Sequence, residues 1–497
     1  MTLSCVSAHD NSTTDLQIND NQKLQDASSD LENQIINAND GDEIIINPGT
    51  YRLHNVTISK NMTIQGNGNP EDIIIDGEQI SSILLIRSDA VHVTLKNITF
   101  INALTDGFGG AISMETGHVY VDNCNFINNT AGVNAGGISN YGTEEQPGYL
   151  LVNNSLFVNN HAEHDGGAVT TCYATSHIYN SVFIANSAHR DGGAVRVSVF
   201  GYATVEDCIF MFNHADEWGG AYYSWASNSI INRCIFLNNT GGTNGGAVMV
   251  SGNITLTNSI LVNNTADETG GSFYIQQPMF EALTVIDVHD NLITNNTSPL
   301  GKEIYIKWRQ TNLLFTKFNG NDWGDEDPTD SDIIDPDKVT SRSKVTSTKK
   351  SNLLDELNLD LLNRYSNTLR DYFPDNYFGD DSSNQETNPN NNENNNQQTS
   401  PSNNNNIKSN SSNSINDNVN SNNTNSNAVV NSTSQNSNEN NVQANGSDVG
   451  SDSSKASEIF KKTSSKQVNS TNIGIILFAL IAIIAFAIGY RKQNKNQ

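Results

Sequence analysis

The chain has 497 residues, with 54 acidic and 27 basic side chains and a formal net charge of −27. A polyanion of this kind is repelled by a phosphate backbone, which excludes a nucleic-acid binder. Five cysteines in so long a chain do not make a disulfide scaffold, and Asn, Ser and Thr replace charged residues as the main polar content, as suits an exported surface.

Residues 1–30 read as a leader remnant or a disordered segment. Met1–Asp10, MTLSCVSAHD, is too short for a signal with both a basic start and an apolar stretch. Ser4-Cys5-Val6-Ser7-Ala8 resembles the residues before a cleavage site, so the true start is expected upstream.

Residues 31–325 form the patterned part. An aromatic or aliphatic residue is followed three positions later by Asn: Phe126/Asn129, Phe157/Asn160, Phe183/Asn186, Phe210/Asn213, Phe236/Asn239, Leu261/Asn264 and Ile293/Asn296. A Gly-Gly pair follows each of the first six, at Gly136, Gly166, Gly192, Gly219, Gly245 and Gly270, with an early copy at Gly109-Gly110. Successive aromatic positions lie 31, 26, 27, 26, 25 and 32 residues apart, a near-constant period that signals a solenoid. The runs between the glycine pairs are short and β-branched, as in Val119-Tyr120-Val121, with no helical spacing. About 26 residues hold three short strands and three turns, so the predicted fold is an all-β, right-handed parallel β-helix of about ten rungs, roughly 50 Å long. Stacked Phe should fill the interior, stacked Asn should bond one another at a bend, and the glycine pairs should supply positive φ. Val158, Ile184, Met211 and Leu237 beside the Phe positions leave their own facing open. Cys124, Ser155, Ser181, Cys208, Cys234 and Ser259 form a further ladder two residues before each aromatic position, read as a slot for a small side chain of no particular chemistry, with the thiols free. The two long spacings predict loops at Tyr141–Gly148 and near Gln276–Ala282.

Residues 326–378 are a mixed linker with an amphipathic helix predicted around Leu353, Leu354, Leu357, Leu361, Leu362 and Tyr365. Residues 379–470, rich in Asn and Ser, cannot bury enough apolar area to fold and read as a disordered stalk, averaging roughly 50–60 Å end to end. Ile473–Tyr490 is an uncharged run of 18 residues, IGIILFALIAIIAFAIGY, long enough as a helix to span about 27 Å of bilayer. Arg491, Lys492 and Lys495 follow, so 491–497 is expected to be a cytoplasmic tail and everything before the membrane helix external. Asn-x-Ser/Thr acceptors recur along the external part, for example at Asn55, Asn128, Asn253 and Asn422, and some are expected to be glycosylated.

The alternation of Phe-x-x-Asn with Gly-Gly-Ala-Val, as in Gly166-Gly167-Ala168-Val169 and Gly192-Gly193-Ala194-Val195, resembles the repeats of chlamydial polymorphic outer-membrane proteins. It is more similar to the right-handed parallel β-helix, adhesin-like surface proteins of methanogenic archaea. Ile35-Ile36-Asn37-Ala38, Gly41-Asp42-Glu43-Ile44 and Pro48-Gly49-Thr50-Tyr51 resemble their first rung and that of the pectin-lyase-like superfamily. Asn321-Asp322-Trp323-Gly324 with Pro328 resembles their end piece. A single C-terminal helix in place of the chlamydial β-barrel favours the archaeal type. The resemblance covers about residues 31–328 and implies a membrane-anchored, adhesin-like surface protein that binds glycans or surface proteins of other cells, without enzymatic activity.

The alternative is a polysaccharide-active enzyme, a lyase or hydrolase of the pectin-lyase-like fold. The Asn-Thr-Asp, Asp-Asp, Gly-His-Gly and Arg-Ile-Lys strings of pectin hydrolases do not occur in the repeats. Stacked turn residues before Gly-Gly, namely Glu163-His164-Asp165, His189-Arg190-Asp191, Asp216-Glu217 and Asp267-Glu268, offer an acidic stripe for Ca²⁺ or sugar. The uncharged copies at Gly132–Ala135 and Gly242–Asn244 favour a plain solvent-facing turn. Tyr222, Tyr223 and Trp225 are candidates for stacking on a sugar ring. No residue is assigned a catalytic, cofactor-binding or metal-binding role.

Overall fold

The β-branched runs do form strands. In the structure, a computed structural model, residues 12–87, 91–276, 284–307, 314–318, 320–323, 333–334, 361, 364 and 365 are described. They build a parallel β-solenoid of about nine turns. The coils build three sheets, and those in the middle contribute to all of them. Sheet A carries two ladders side by side, as in Val169–Cys172 and Ala174–Tyr179 of one coil. Sheet B, ten strands among the described residues, stacks three-residue strands such as Leu156–Val158, Val182–Ile184 and Ile209–Met211 in register. Sheet C consists of two-residue strands, among them His161–Ala162, Ser187–Ala188 and His214–Ala215.

Register places equal residues on one another, and the ladders follow from that. Phe157 lies over Phe183 and Phe183 over Phe210, each with ring centroids 4.7 Å apart and nearly parallel rings. All the Phe residues from Phe100 to Phe236 in this column are fully buried. Beside them the buried Asn column satisfies itself. The Asn186 side-chain amide donates to Asn213 Oδ1 and to the Phe157 carbonyl, while its Oδ1 accepts from the backbone and side chain of Asn160. All four bonding positions of the side chain are thereby used, which makes a buried amide tolerable. The same links run from Asn129 to Asn296, whose amide ends on Glu303 Oε2 at 2.6 Å.

The Cys/Ser slot does more than accept a small group. Ser155 Oγ accepts from Cys124 N at 3.2 Å and donates to the Asn153 carbonyl at 2.8 Å. The thiols make the weaker version, Cys234 Sγ lying 3.3 Å from the Asn232 carbonyl. Cys124, Cys208 and Cys234 are free and buried, and burial pushes the Cys124 thiol up to about 12.

The two glycines of a pair serve different ends. Gly166 has φ of +65°, whereas a Cβ on Gly167 would strike the Gly193 carbonyl of the next rung. Positive φ is supplied more widely by other residues: Asn128, Asn159, Ala185, Phe212, Asn238 and Asn263 all adopt it just before the buried Asn.

One expectation is corrected, one open point is decided and one expected loop is found. Residues 12–37, placed in a leader segment and a first rung, form a helix, Ser12–Asn37, and the first strand is Asp42–Ile46. Leu31, Ile35 and Ala38 lie on the same side of this stretch and are buried with Ile44 and Ile46 of the first coil. Ser28 Oγ accepts from Arg52 N, fixing the helix to the strand Gly49–Arg52. Second, the residues flanking Phe157, Phe183, Phe210 and Phe236 point outward yet are also buried. Leu156, Val158, Val182, Ile184 and Met211 form an apolar layer on the far face of sheet B, joined by Leu361 and Tyr365. The Tyr365 hydroxyl donates to the Asn154 carbonyl at 2.9 Å. Third, the first insertion leaves the coil between Ile138–Tyr141 and Gly148–Asn153 and is closed by Thr143 N on the Gln146 carbonyl. Most of the second insertion, most of the linker, the stalk, the 473–490 segment and the tail lie outside the described residues. No helix among the described residues is long and apolar enough to cross a membrane.

At the far end Asn321, Asp322 and Trp323 are buried, with Trp323 in the central core.

Candidate active site

The turn before each Gly-Gly pair has three positions, and the fold treats them differently. The third position stacks from coil to coil through parallel bridges: Asn134, Asp165, Asp191, Trp218, Asn244 and Thr269. It lies next to the outward-facing row of sheet A, where Thr170, Arg196, Tyr223 and Met249 sit over one another. The first two turn positions, such as Glu163 and His164 or Asp216 and Glu217, are exposed. The predicted acidic stripe therefore divides: Asp165 and Asp191 are buried at 4% and 3% exposure, while Glu163, Asp216, Glu217, Asp267 and Glu268 face solvent.

Asp165 and Asp191 occupy adjacent rungs, with backbones about 4.8 Å apart. Arg196 Nε lies 3.3 Å from Asp165 Oδ2. Arg190, half exposed, reaches Asp165 Oδ1 at 3.7 Å and Asp191 Oδ2 at 3.8 Å, so one guanidinium lies against both carboxyl groups. These are ion-pair distances without hydrogen-bond geometry. Asp165 Oδ1, Asp191 Oδ1 and Arg196 Nε are buried and have no hydrogen-bond partner. Three buried polar atoms unpaired at one spot are costly, and native proteins keep such groups mainly where something else binds or reacts. Burial first, then the neighbouring Asp165 carboxyl, pushes Asp191 up to about 7, against the lowering influence of Arg190 and Arg196.

Aromatic surface flanks the pair. Tyr223 lies across the strand from Arg196, and its phenol is raised by burial and then by Asp191. Trp218 stacks near it with ring centroids 6.2 Å apart, and Trp225 packs on the same small cluster with Tyr274 and Tyr305. Asn134 Nδ2 donates to the Tyr141 hydroxyl at 2.6 Å on the preceding coil. Of the three aromatics expected to face a sugar, Tyr222 points into the core and bonds Ser229 Oγ, Tyr223 is buried, and Trp225 alone is partly exposed. Arg196 and Trp218 were not singled out from the sequence. Each stands in an alternating strand or turn row whose other members are chemically unrelated.

No protein-family model matches this chain, and no curated protein does. Solved structures do. A mannuronic-acid-specific family 6 polysaccharide lyase from human gut microbiota matches over 70% of this chain and 98% of its own, at 11% identity and a TM-score of 0.40. An alginate lyase in complex with G6 matches over 56% of this chain and 60% of its own, at 15% identity and a TM-score of 0.33. A family 6 polysaccharide lyase from Pseudopedobacter saltans matches over 65% and 88%, at 14% identity and a TM-score of 0.31. This chain thus spans 60% of the alginate lyase's length. At these identities the likeness is one of fold. The expectations of an adhesin-like function and of no enzymatic activity are corrected here, because the similar structures carry the names of polysaccharide lyases. What this chain does has to be argued from its own residues.

Proposed function

We propose that the chain is a polysaccharide-cleaving enzyme whose chemistry resides on Asp165 and Asp191. The observation that supports it is the buried pair itself: two carboxyl groups one rung apart, with unpaired oxygens, and one of them held near pH 7. Cleavage of a glycosidic link, by hydrolysis or by elimination, needs a proton delivered to the leaving oxygen. A carboxyl raised to about 7 is still largely protonated in mildly acidic solution and serves as that donor. Asp165, paired with Arg196, supplies the opposite role of proton acceptor. Arg190 covers both groups from the solvent side and has to swing away for a sugar to reach them. In its displaced position a guanidinium suits a uronate carboxylate. Trp218 and Trp225 offer ring faces to neighbouring sugars.

The test uses the full chain against neutral and uronate-containing polysaccharides. New reducing ends alone identify hydrolysis, and unsaturated ends identify elimination. Asp191→Asn should lower kcat by about 10²–10⁴-fold. Activity that depends on protonated Asp191 should fall as pH rises through about 7. No cleavage of any polysaccharide, or an Asp191→Asn variant as active as the parent, overturns the proposal.

Tethering by 473–490 at the outer surface of a cell is part of the same proposal, since long polysaccharides are met outside cells. Impermeant labelling of intact cells tests it, and protection of the solenoid until lysis overturns it.

A further inference from the structure

A second cluster lies on the solvent side of the same coils, on sheet C. His161 opens one two-residue strand, Glu163 follows it on the same side, and His189 occupies the place of Glu163 one coil further on. His189 N donates to the Ala162 carbonyl at 3.1 Å, which fixes the stacking. The two imidazoles address one carboxylate from two directions. His161 Nε2 stands 3.5 Å from Glu163 Oε1, and His189 Nδ1 stands 2.9 Å from Glu163 Oε2. One ligand atom from each of the three residues lies within 4.8 Å of the others.

From this geometry we infer that His161, Glu163 and His189 form a binding site for a divalent transition-metal ion of the zinc type. Metal–ligand bonds of about 2.0–2.1 Å in a tetrahedron put ligand atoms about 3.3 Å apart. Each imidazole already stands at 2.9–3.5 Å from its own oxygen of Glu163, and with all three ligand atoms within 4.8 Å of one another, rotation of the exposed Glu163 and His189 side chains closes the set on one ion. The donor set, two imidazole nitrogens and one carboxylate, selects zinc, cobalt or nickel over calcium, which prefers six or more oxygens. The orientation of His161 is prepared. Its Nδ1 is engaged by Ser187 Oγ at 2.9 Å, which turns Nε2 towards Glu163, the arrangement by which metal-binding histidines are held in place. Three protein ligands leave a fourth position for water or a solute oxygen, and the half-exposed Glu163 and His189 keep it open to solvent. The site shares no residue with the Asp165/Asp191 pair and does not depend on that reading.

The test is metal titration of the full chain, without a polyhistidine tag and after chelator treatment, using Zn²⁺ by calorimetry and Co²⁺ by visible absorption. One equivalent of Zn²⁺ should bind, and Co²⁺ should give the intense bands of a low-coordinate nitrogen–oxygen site. Glu163→Gln and His189→Ala should each abolish this binding, and Ser187→Ala should weaken it by about 10-fold. Circular dichroism on each variant shows that the solenoid persists. Asp191→Asn should bind Zn²⁺ as the parent does, which separates a failure here from a failure of the proposed chemistry. Absence of stoichiometric Zn²⁺ binding overturns the inference. So does binding that survives His189→Ala, or Ca²⁺ bound in preference to Zn²⁺.

Discussion

At the scale of single residues, the solenoid rests on two buried columns of different chemistry. Phe183→Ala removes a ring stacked on both sides and should cost about 3–5 kcal/mol through lost burial and a residual cavity. Asn186→Leu takes away the acceptor of the Asn160 backbone and side-chain N–H groups and the side-chain donor to the Phe157 carbonyl, at about 1–3 kcal/mol for each group left unpaired. Glu217→Ala on the exposed turn should change stability by no more than about 0.5 kcal/mol. Denaturant midpoints for the three variants check the ranking, and equal midpoints would refute it. Asp191 adds a pH dependence. Its folded-state pKa, about 7, stands above the usual carboxyl value of about 3.9, so the folded chain holds its proton more tightly than the unfolded one. That contribution is complete below about pH 4 and is lost as pH rises through 7. Asp191→Asn should flatten this part of the stability profile, and an unchanged slope between pH 4 and 7 would count against the assignment. The Phe and Asn columns were legible in the sequence because each repeats one residue type at one spacing. Asp165 and Asp191 were visible as acidic residues, but their burial was not, because Asn, Trp and Thr fill the same row elsewhere and no common chemistry marks it.

At the scale of strands and turns, the coil-to-coil spacing decides what each glycine does. Gly167→Ala drives a methyl group into the backbone of the next rung, which is held by its own ladder bonds and cannot yield. A loss of about 1–3 kcal/mol or more is expected. Gly107→Ala meets nothing nearer than Thr105 Oγ1 at 3.7 Å and should be nearly neutral. Thermal unfolding of the pair checks this, and a neutral Gly167→Ala would show the rungs to be more loosely stacked. The Gly-Gly motif was readable as a turn, but the split of duties within it was not, since only neighbouring coils reveal the crowding. Strand facing was equally hidden. In Leu156-Phe157-Val158 all three residues are buried, so the alternation that normally tells inside from outside is missing. Leu361 and Tyr365, some two hundred positions away, belong to the layer that closes the outer side.

At the scale of the whole molecule, a stack of parallel coils has two open ends, each a row of unpaired backbone groups ready to bind another chain. The helix Ser12–Asn37 covers the first coil, burying Leu31 and Ile35 against it. Deleting residues 1–37 should expose Ile44 and Ile46 and lead to self-association, measured by light scattering at rising concentration. A truncated chain that stays monomeric with an unchanged melting temperature would show the helix to be dispensable. The period of the repeat made the solenoid readable. The helix escaped notice because its few apolar residues are spread through a long acidic and amide-rich stretch, where Leu31 and Ile35 are four apart with no dense stripe around them.

The asparagine column also gives the rod a direction. Every link runs the same way, with Oδ1 towards the first coil and Nδ2 towards the last, from Asn129 to Asn296. Aligned amides add their dipoles and polarise one another, so the row carries partial negative charge at its start and partial positive charge at its end. Glu303 stands at that positive end and receives the last amide proton, as an acidic side chain does at the amino end of a helix. The row is therefore closed electrostatically at its far end, and an added coil would have to displace that carboxylate before it could extend the column.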